Sequence, residues 1–188
     1  MTEAAKVRSA ETAGAVRVKV CGLRRLEDVA AVNAVRPDYA GWIFVPGSRR
    51  QVTAEQAAGL RERLDPAIVP VGVFRDAPVQ QIARLAAAGV IAVAQLHGDE
   101  DAVYIASLRA LAGPLPVVKA VSVTGPASVR RPSAAAGPLR PTDPAFPADC
   151  LLFDNGAGGS GQPFDLSLIS QARQADALTE KPFFIAGG

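Results

Sequence analysis

The sequence predicts an α/β fold built on a parallel sheet, and three observations carry that expectation. Short apolar runs rich in valine, isoleucine, leucine and phenylalanine recur along the 188 residues, of a kind that fits strands buried on both faces. Most of them are followed by a stretch whose apolar residues fall at helical spacing. The runs close on glycine, proline or a polar residue, where a strand hands over to a loop. Strands alternating with helices pair in parallel, because each return passes through a helix.

Composition bounds what such a fold does. Hydrophobic residues make up 49% and charged residues 20% of the chain, with a formal net charge of +2, the balance of an ordinary globular domain with a substantial core. Arg24-Arg25, Arg49-Arg50 and Arg130-Arg131 are isolated pairs, so no basic stripe predicts a nucleic-acid partner. Two cysteines, Cys21 and Cys150, make no disulfide framework, and a single histidine with no clustered ligands predicts no metal site. The opening MTEAAKVRSAETAGA has no apolar core of a secretory signal, and no run reaches transmembrane length. The expected location is cytoplasmic, with no membrane partner.

In order, residues 1–15 read as a disordered tail. Val16 to Val20 alternates with period two and reads as a first strand ended by Cys21-Gly22, and Leu26 to Val35 as a helix. Tyr39 to Val45 is a second strand stopped by Pro46-Gly47. Thr53 with Gln56 makes a capping box for a helix through Leu64. Ile68 to Phe74 is a third strand, and Asp76-Ala77-Pro78 reads as the start of the next helix, with the aspartate as its cap. Val90 to Leu96, Val117 to Val121, Leu151 to Phe153 and Pro182 to Ala186 are the remaining strands. Asp99 to Leu111 and Phe164 to Ala175 are the remaining helices. Residues 122–148, rich in proline, alanine, serine and glycine, read as an irregular insertion in place of a fifth helix. Seven strand units suit either a β/α barrel that stops after its seventh strand or an open doubly wound sheet. The first strand-to-helix turn, Cys21-Gly22-Leu23, lacks the G-x-G-x-x-G of a dinucleotide fold.

Leu151-Leu152-Phe153-Asp154 is an apolar run ending on a carboxylate, and Gly158, Gly159 and Gly161 follow it. A carboxylate at the C-terminal tip of a buried strand faces the crevice where barrels and open sheets place their chemistry. Glycine backbone lets amide groups close on an anion. The pattern therefore suits an acid beside a phosphate cradle, or equally an aspartate bracing its own loop. Cys21 ends the first strand with Lys19 on the same strand face, a cation that would favour a thiolate; a buried cysteine packed as a small hydrophobe is the competing reading. Arg50 follows the Pro46-Gly47-Ser48 turn, where its guanidinium would grip a carboxylate, with Arg49 as the rival. His97 ends the fourth strand beside Gln95, placed either to meet a substrate or to make a structural hydrogen bond.

Taken together, these motifs resemble phosphoribosylanthranilate isomerase. The resembling segments are Lys19-Val20-Cys21-Gly22-Leu23, Gly41 to Arg50, Val71 to Phe74, Gln95-Leu96-His97-Gly98-Asp99-Glu100, Val118-Lys119-Ala120-Val121, Leu152-Phe153-Asp154 with its glycines, and Ala186-Gly187-Gly188. The resemblance implies a TIM (β/α)8-type barrel, apparently truncated after strand seven. It implies an Amadori rearrangement of N-(5-phosphoribosyl)anthranilate in tryptophan biosynthesis. It assigns Cys21 as general base, Asp154 as general acid and Arg50 as the anchor of the anthranilate carboxylate. Gly158, Gly159, Gly161, Gly187 and Gly188 become phosphate-binding positions; Gln95 and His97 stay outside the catalytic set, as residues that could touch the substrate. It implies a phosphorylated sugar substrate, no cofactor, and a monomer or homodimer. Gln51, Gln162 and Leu166 stand where the family usually has Tyr, Lys and Trp. The alternative kept open is a non-catalytic phosphate-binding remnant or assembly partner.

Overall fold

The structure, a computed structural model, describes residues 16–123, 125, 128–129, 139–155, 164–174 and 179–186. The expected tail at 1–15 and the glycines at 158, 159, 161, 187 and 188 lie outside the described residues.

Among the described residues, seven strands form one sheet in sequence order, each parallel to the next: β1 (Lys19–Cys21), β2 (Tyr39–Ile43), β3 (Val69–Phe74), β4 (Val93–Leu96), β5 (Val117–Ser122), β6 (Cys150–Asp154) and β7 (Phe183–Ile185). Helices α1 (Leu26–Val35), α2 (Ala54–Arg61), α3 (Val79–Ala87), α4 (Ala102–Ala112) and α5 (Ser167–Gln174) occupy the crossovers. The sequential order is that of a singly wound barrel wall; an open doubly wound sheet would reverse direction partway. Between β5 and β6 the chain makes no α-helix among the described residues, yet Val129 and Phe146 from this stretch are buried in the main core.

Strands β2, β3, β4 and β6 are buried on both faces, which explains why they read as continuous apolar runs, whereas the edge strands β1 and β7 are only half-buried. Ala40, Trp42, Phe44, Phe74, Leu96, Val117, Leu151 and Phe153 pack outward against the helices. Tyr39, Val71, Val93, Val118, Cys150 and Leu152 form a second cluster on the inner face. A small cavity lined by Lys19, Tyr39, Val71, Val93, Val118, Cys150 and Phe184 lies along the strand beginnings of this inner face. Trp42 is fully buried and its indole N–H donates to Val90 O at 3.2 Å.

Element boundaries differ from expectation at several ends. The expected capping box is present: Gln56 N donates to Thr53 Oγ1 at 3.2 Å and Thr53 N to Gln56 Oε1 at 2.8 Å. The aspartate cap of α3 is not. Asp76 is at φ 49°, α3 begins after Pro78 with no side-chain cap, and the Asp76 carboxylate instead accepts Asp99 N at 2.7 Å. A local cap lost to a partner on the neighbouring loop. Asp99 likewise does not open α4. Asp101 does, accepting Tyr104 N at 2.8 Å.

Candidate active site

Because side chains alternate along a strand, Cys21 shares the inner face with Lys19, which lines the inner cavity. Asp154 shares it with Cys150 and Leu152 of the inner cluster. Each is the last residue of its strand. In a parallel sheet all strand ends lie on one rim, so the thiol and the carboxylate occupy the C-terminal rim of the inner face. Barrels place their chemistry there.

The Cys21 side is built by close backbone approach. Cys21 pairs with Gly41 across β1 and β2, and a Cβ at Gly41 would stand 2.8 Å from the Cys21 sulfur. Arg50 reaches back over this corner. Its Nη1 donates to Cys21 O at 3.0 Å, and its side chain occupies the space above Gly22, at φ +91°. The turn that carries it is held from within: Arg50 N donates to Ser48 Oγ at 3.2 Å and Gly47 N to Gln51 Oε1 at 3.1 Å. Arg49 is exposed, and its carbonyl accepts a hydrogen bond from Arg24. Of the two rival arginines, only Arg50 contacts the Cys21 corner among the described interactions. Lys19 sits toward the cavity under the strand beginnings, one inner-face position below Cys21.

The Asp154 side is a buried relay. Asp154 is 7% exposed, and its Oδ2 lies 3.2 Å from His97 Nε2. On the far side of the ring, Gln95 Nε2 lies 3.2 Å from His97 Nδ1. With the Gln95 amide donating to Nδ1, that nitrogen is the acceptor, and this assignment puts the ring hydrogen on Nε2, facing Asp154. Burial pushes the His97 pKa below its ordinary value, with Arg75 and Lys119 acting in the same direction and Asp154 opposing them. The imidazole is therefore held neutral. Gln95 is buried, and its Oε1 has no hydrogen-bond partner, leaving an acceptor free for a ligand hydroxyl.

The structure thus brings Arg50 to Cys21, and Gln95 and His97 to Asp154. Cys150 is apart from both: it begins β6 on the inner face, and burial pushes its thiol up to about 12. Sequence reasoning set His97 beside Gln95 but did not pair it with Asp154, because that partner lies on another strand. It did not single out the Lys119–Glu100 ion pair. Lys119 is 4% exposed on the outer face of β5, with Nζ 2.8 Å from Glu100 Oε2. The signal was present, since a lysine inside the otherwise apolar run Val117–Val121 demands a partner. Among the described residues no group of three or more His, Cys, Asp or Glu could hold a metal ion. No helix there is long and apolar enough to cross a membrane.

Comparison with known proteins supplies an independent line. A family model described as N-(5'-phosphoribosyl)anthranilate (PRA) isomerase matches residues 18–188. The N-(5'-phosphoribosyl)anthranilate isomerase of Endomicrobium trichonymphae is 38% identical over 176 residues, covering 92% of this chain and 76% of that protein. The crystal structure of phosphoribosyl anthranilate isomerase from Thermus thermophilus superposes with a TM-score of 0.74 at 34% identity, covering 92% of this chain and 77% of that one. A phosphoribosyl anthranilate isomerase solved with reduced 1-(o-carboxyphenylamino)-1-deoxyribulose 5-phosphate superposes at 0.64 with 27% identity, covering 93% of this chain and 76% of that one.

Proposed function

The chain belongs to the N-(5'-phosphoribosyl)anthranilate isomerase family, and on that premise we propose that Cys21 and Asp154 carry out the proton transfers of its isomerisation. The reaction is the Amadori rearrangement of N-(5-phosphoribosyl)anthranilate in tryptophan biosynthesis.

Asp154 delivers a proton to the furanose ring oxygen. The C1–O bond breaks, and the anthranilate nitrogen lone pair forms the C1=N bond of a protonated Schiff base. Cys21, as thiolate, takes the proton from C2, and the electron pair left behind neutralises the Schiff base as an enolamine. Ketonisation follows, C1 gaining a proton and the C2 hydroxyl losing one, so the product is an isomer with no net change in protons. Proton transfer by placed groups contributes about 10²–10⁴-fold.

The observation that carries this reading is the placement of Asp154, 7% exposed on the rim and 3.2 Å from a neutral imidazole. A carboxyl group there is shielded from water, and the His97 ring holds it in place on the rim. Arg50 holds the anthranilate carboxylate by a two-pronged hydrogen bond while its Nη1 bond to Cys21 O ties that anchor to the base. Gln95 Oε1 accepts a sugar hydroxyl. The phosphate falls to Gly158, Gly159, Gly161, Gly187 and Gly188.

The test is the loss of phosphoribosylanthranilate fluorescence with no cofactor added. Asp154→Asn, which keeps the size of the side chain but carries no acid proton, abolishes turnover. Wild-type turnover by that variant would overturn the acid assignment.

A further inference from the structure

The buried Lys119–Glu100 pair lies outside the reacting groups, yet both of its members reach the segment that carries His97. Glu100 is 4% exposed and spends both carboxylate oxygens on the neighbouring loops. Its Oε1 accepts Asp76 N at 2.8 Å, and its Oε2 accepts Gly98 N at 2.9 Å. Lys119 Nζ donates to Glu100 Oε2 at 2.8 Å and to the carbonyl of Gly98. Gly98 therefore has its N–H and its C=O both taken by the ion pair. Gly98 is the residue after His97, whose own N–H donates to Phe74 O at 2.8 Å. The C-terminal ends of β3 and β4 and the middle of β5 are joined at this point. Burial alone would raise the Glu100 pKa, but the hydrogen bond from Lys119 and that from Asp76 N outweigh it and hold the value below normal.

A buried charge pair is a poor way to stabilise a fold, since well-packed apolar residues of like volume do as well. What it provides is a fixed geometry for the groups bonded to it. We infer that Lys119 and Glu100 are positioning residues: their buried ion pair clamps Gly98 and thereby sets the His97 imidazole against Asp154. The inference deepens the proposed isomerase reading and rests on it for its functional meaning, but its structural content is open to test without substrate.

His97 is the only histidine in the chain, so its ring nitrogens are assigned in an NMR spectrum without ambiguity. The charged groups facing it are Asp154 from β6, Arg75 after β3 and Lys119 from β5. In the free wild-type protein the ring shows one tautomer, hydrogen on Nε2, and a titration below the ordinary value near 6.5. The double variant Lys119→Met with Glu100→Leu removes both charges together and leaves no lone buried ion. In the variant the ring is expected to show both tautomers; its titration also moves through loss of the Lys119 charge alone, so the tautomer ratio is the readout. Its turnover is expected to fall about tenfold or more, with KM within about twofold, because a small displacement at a proton-transfer group acts on the chemical step. A cooperatively melting double variant with an unchanged His97 tautomer ratio overturns the proposal. A second measurement uses the wild-type chain and so does not depend on the variant folding. The Asp76 and Gly98 amide protons should resist exchange as the strand amides do. Exchange at the rate of exposed loop amides overturns the clamp. Because both readouts are taken without substrate, failure of the isomerase assignment leaves them standing.

Discussion

Gly41→Ala tests the Cys21 corner with a single added carbon. Gly41 is absent from the glycines at positive φ, so alanine costs nothing through the backbone there, and the whole effect comes from space. The new Cβ would lie 2.8 Å from Cys21 Sγ, 3.3 Å from its Cα and 3.4 Å from its Cβ. Ordinary carbon–sulfur contact is nearer ~3.7 Å, a gap that a well-packed interior has no slack to absorb. The thiol must therefore retreat by close to an ångström, or the paired β1 and β2 must part. Neither is easy: Gly22 N and Leu23 N both donate to Gly41 O, at 2.9 and 3.2 Å. Overpacking of this kind costs about 1–3 kcal/mol, which for a chain of this size is a fall in Tm of roughly 2–12 °C. Displacement of the base by about 1 Å costs up to ~10²-fold in kcat/KM. Turnover is read by phosphoribosylanthranilate fluorescence. Unfolding is read by the emission of Trp42, the only tryptophan and fully buried. A Gly41→Ala protein with wild-type turnover and melting temperature would refute both the proximity of Gly41 to the thiol and the role given to that thiol.

Two further outcomes follow from the same geometry. Cys21 is half-buried while Cys150 is 3% exposed with its thiol pushed up to about 12, so iodoacetamide at pH 8 adds one mass increment, at Cys21, and removes activity; a label on Cys150 in the native protein, or full activity after labelling Cys21, contradicts the assignment. His97 and Glu100 both titrate below their ordinary values in the folded chain, so the unfolded chain takes up each proton first as pH falls. Stability is then fully present near pH 7–8. It declines below about 6.5 as the His97 contribution is lost, and again below about 4.5 as that of Glu100 goes. A melting temperature that rises between pH 7 and 5.5 would reverse the sign of the argument.

The sheet was legible in the sequence because strands buried on both faces are written as apolar runs, and burial on two sides is a local property of composition. The expected barrel wall and the family resemblance are both upheld, the first by seven parallel strands in sequential order and the second by the match over residues 18–188. Helix starts were less legible. Thr53 capped its helix as expected because both members of a capping box are near neighbours. Asp76 did not, because Asp99 N from the next loop competed for its carboxylate and won. A cap is a local preference worth about 1 kcal/mol, and one good long-range hydrogen bond matches it.

What the sequence determined by itself was the order of strands and helices along the chain, the shared face of Lys19 and Cys21, and that Cys21 and Asp154 stand at the ends of strands. Periodicity and neighbouring residues suffice for that. The tertiary structure alone decided that Asp154 meets His97, that Arg50 folds back onto Cys21, and that a lysine within an apolar strand finds Glu100 two loops away. Those are meetings between distant parts of the chain. They are set by sheet register and crossover packing, which no single stretch of sequence contains.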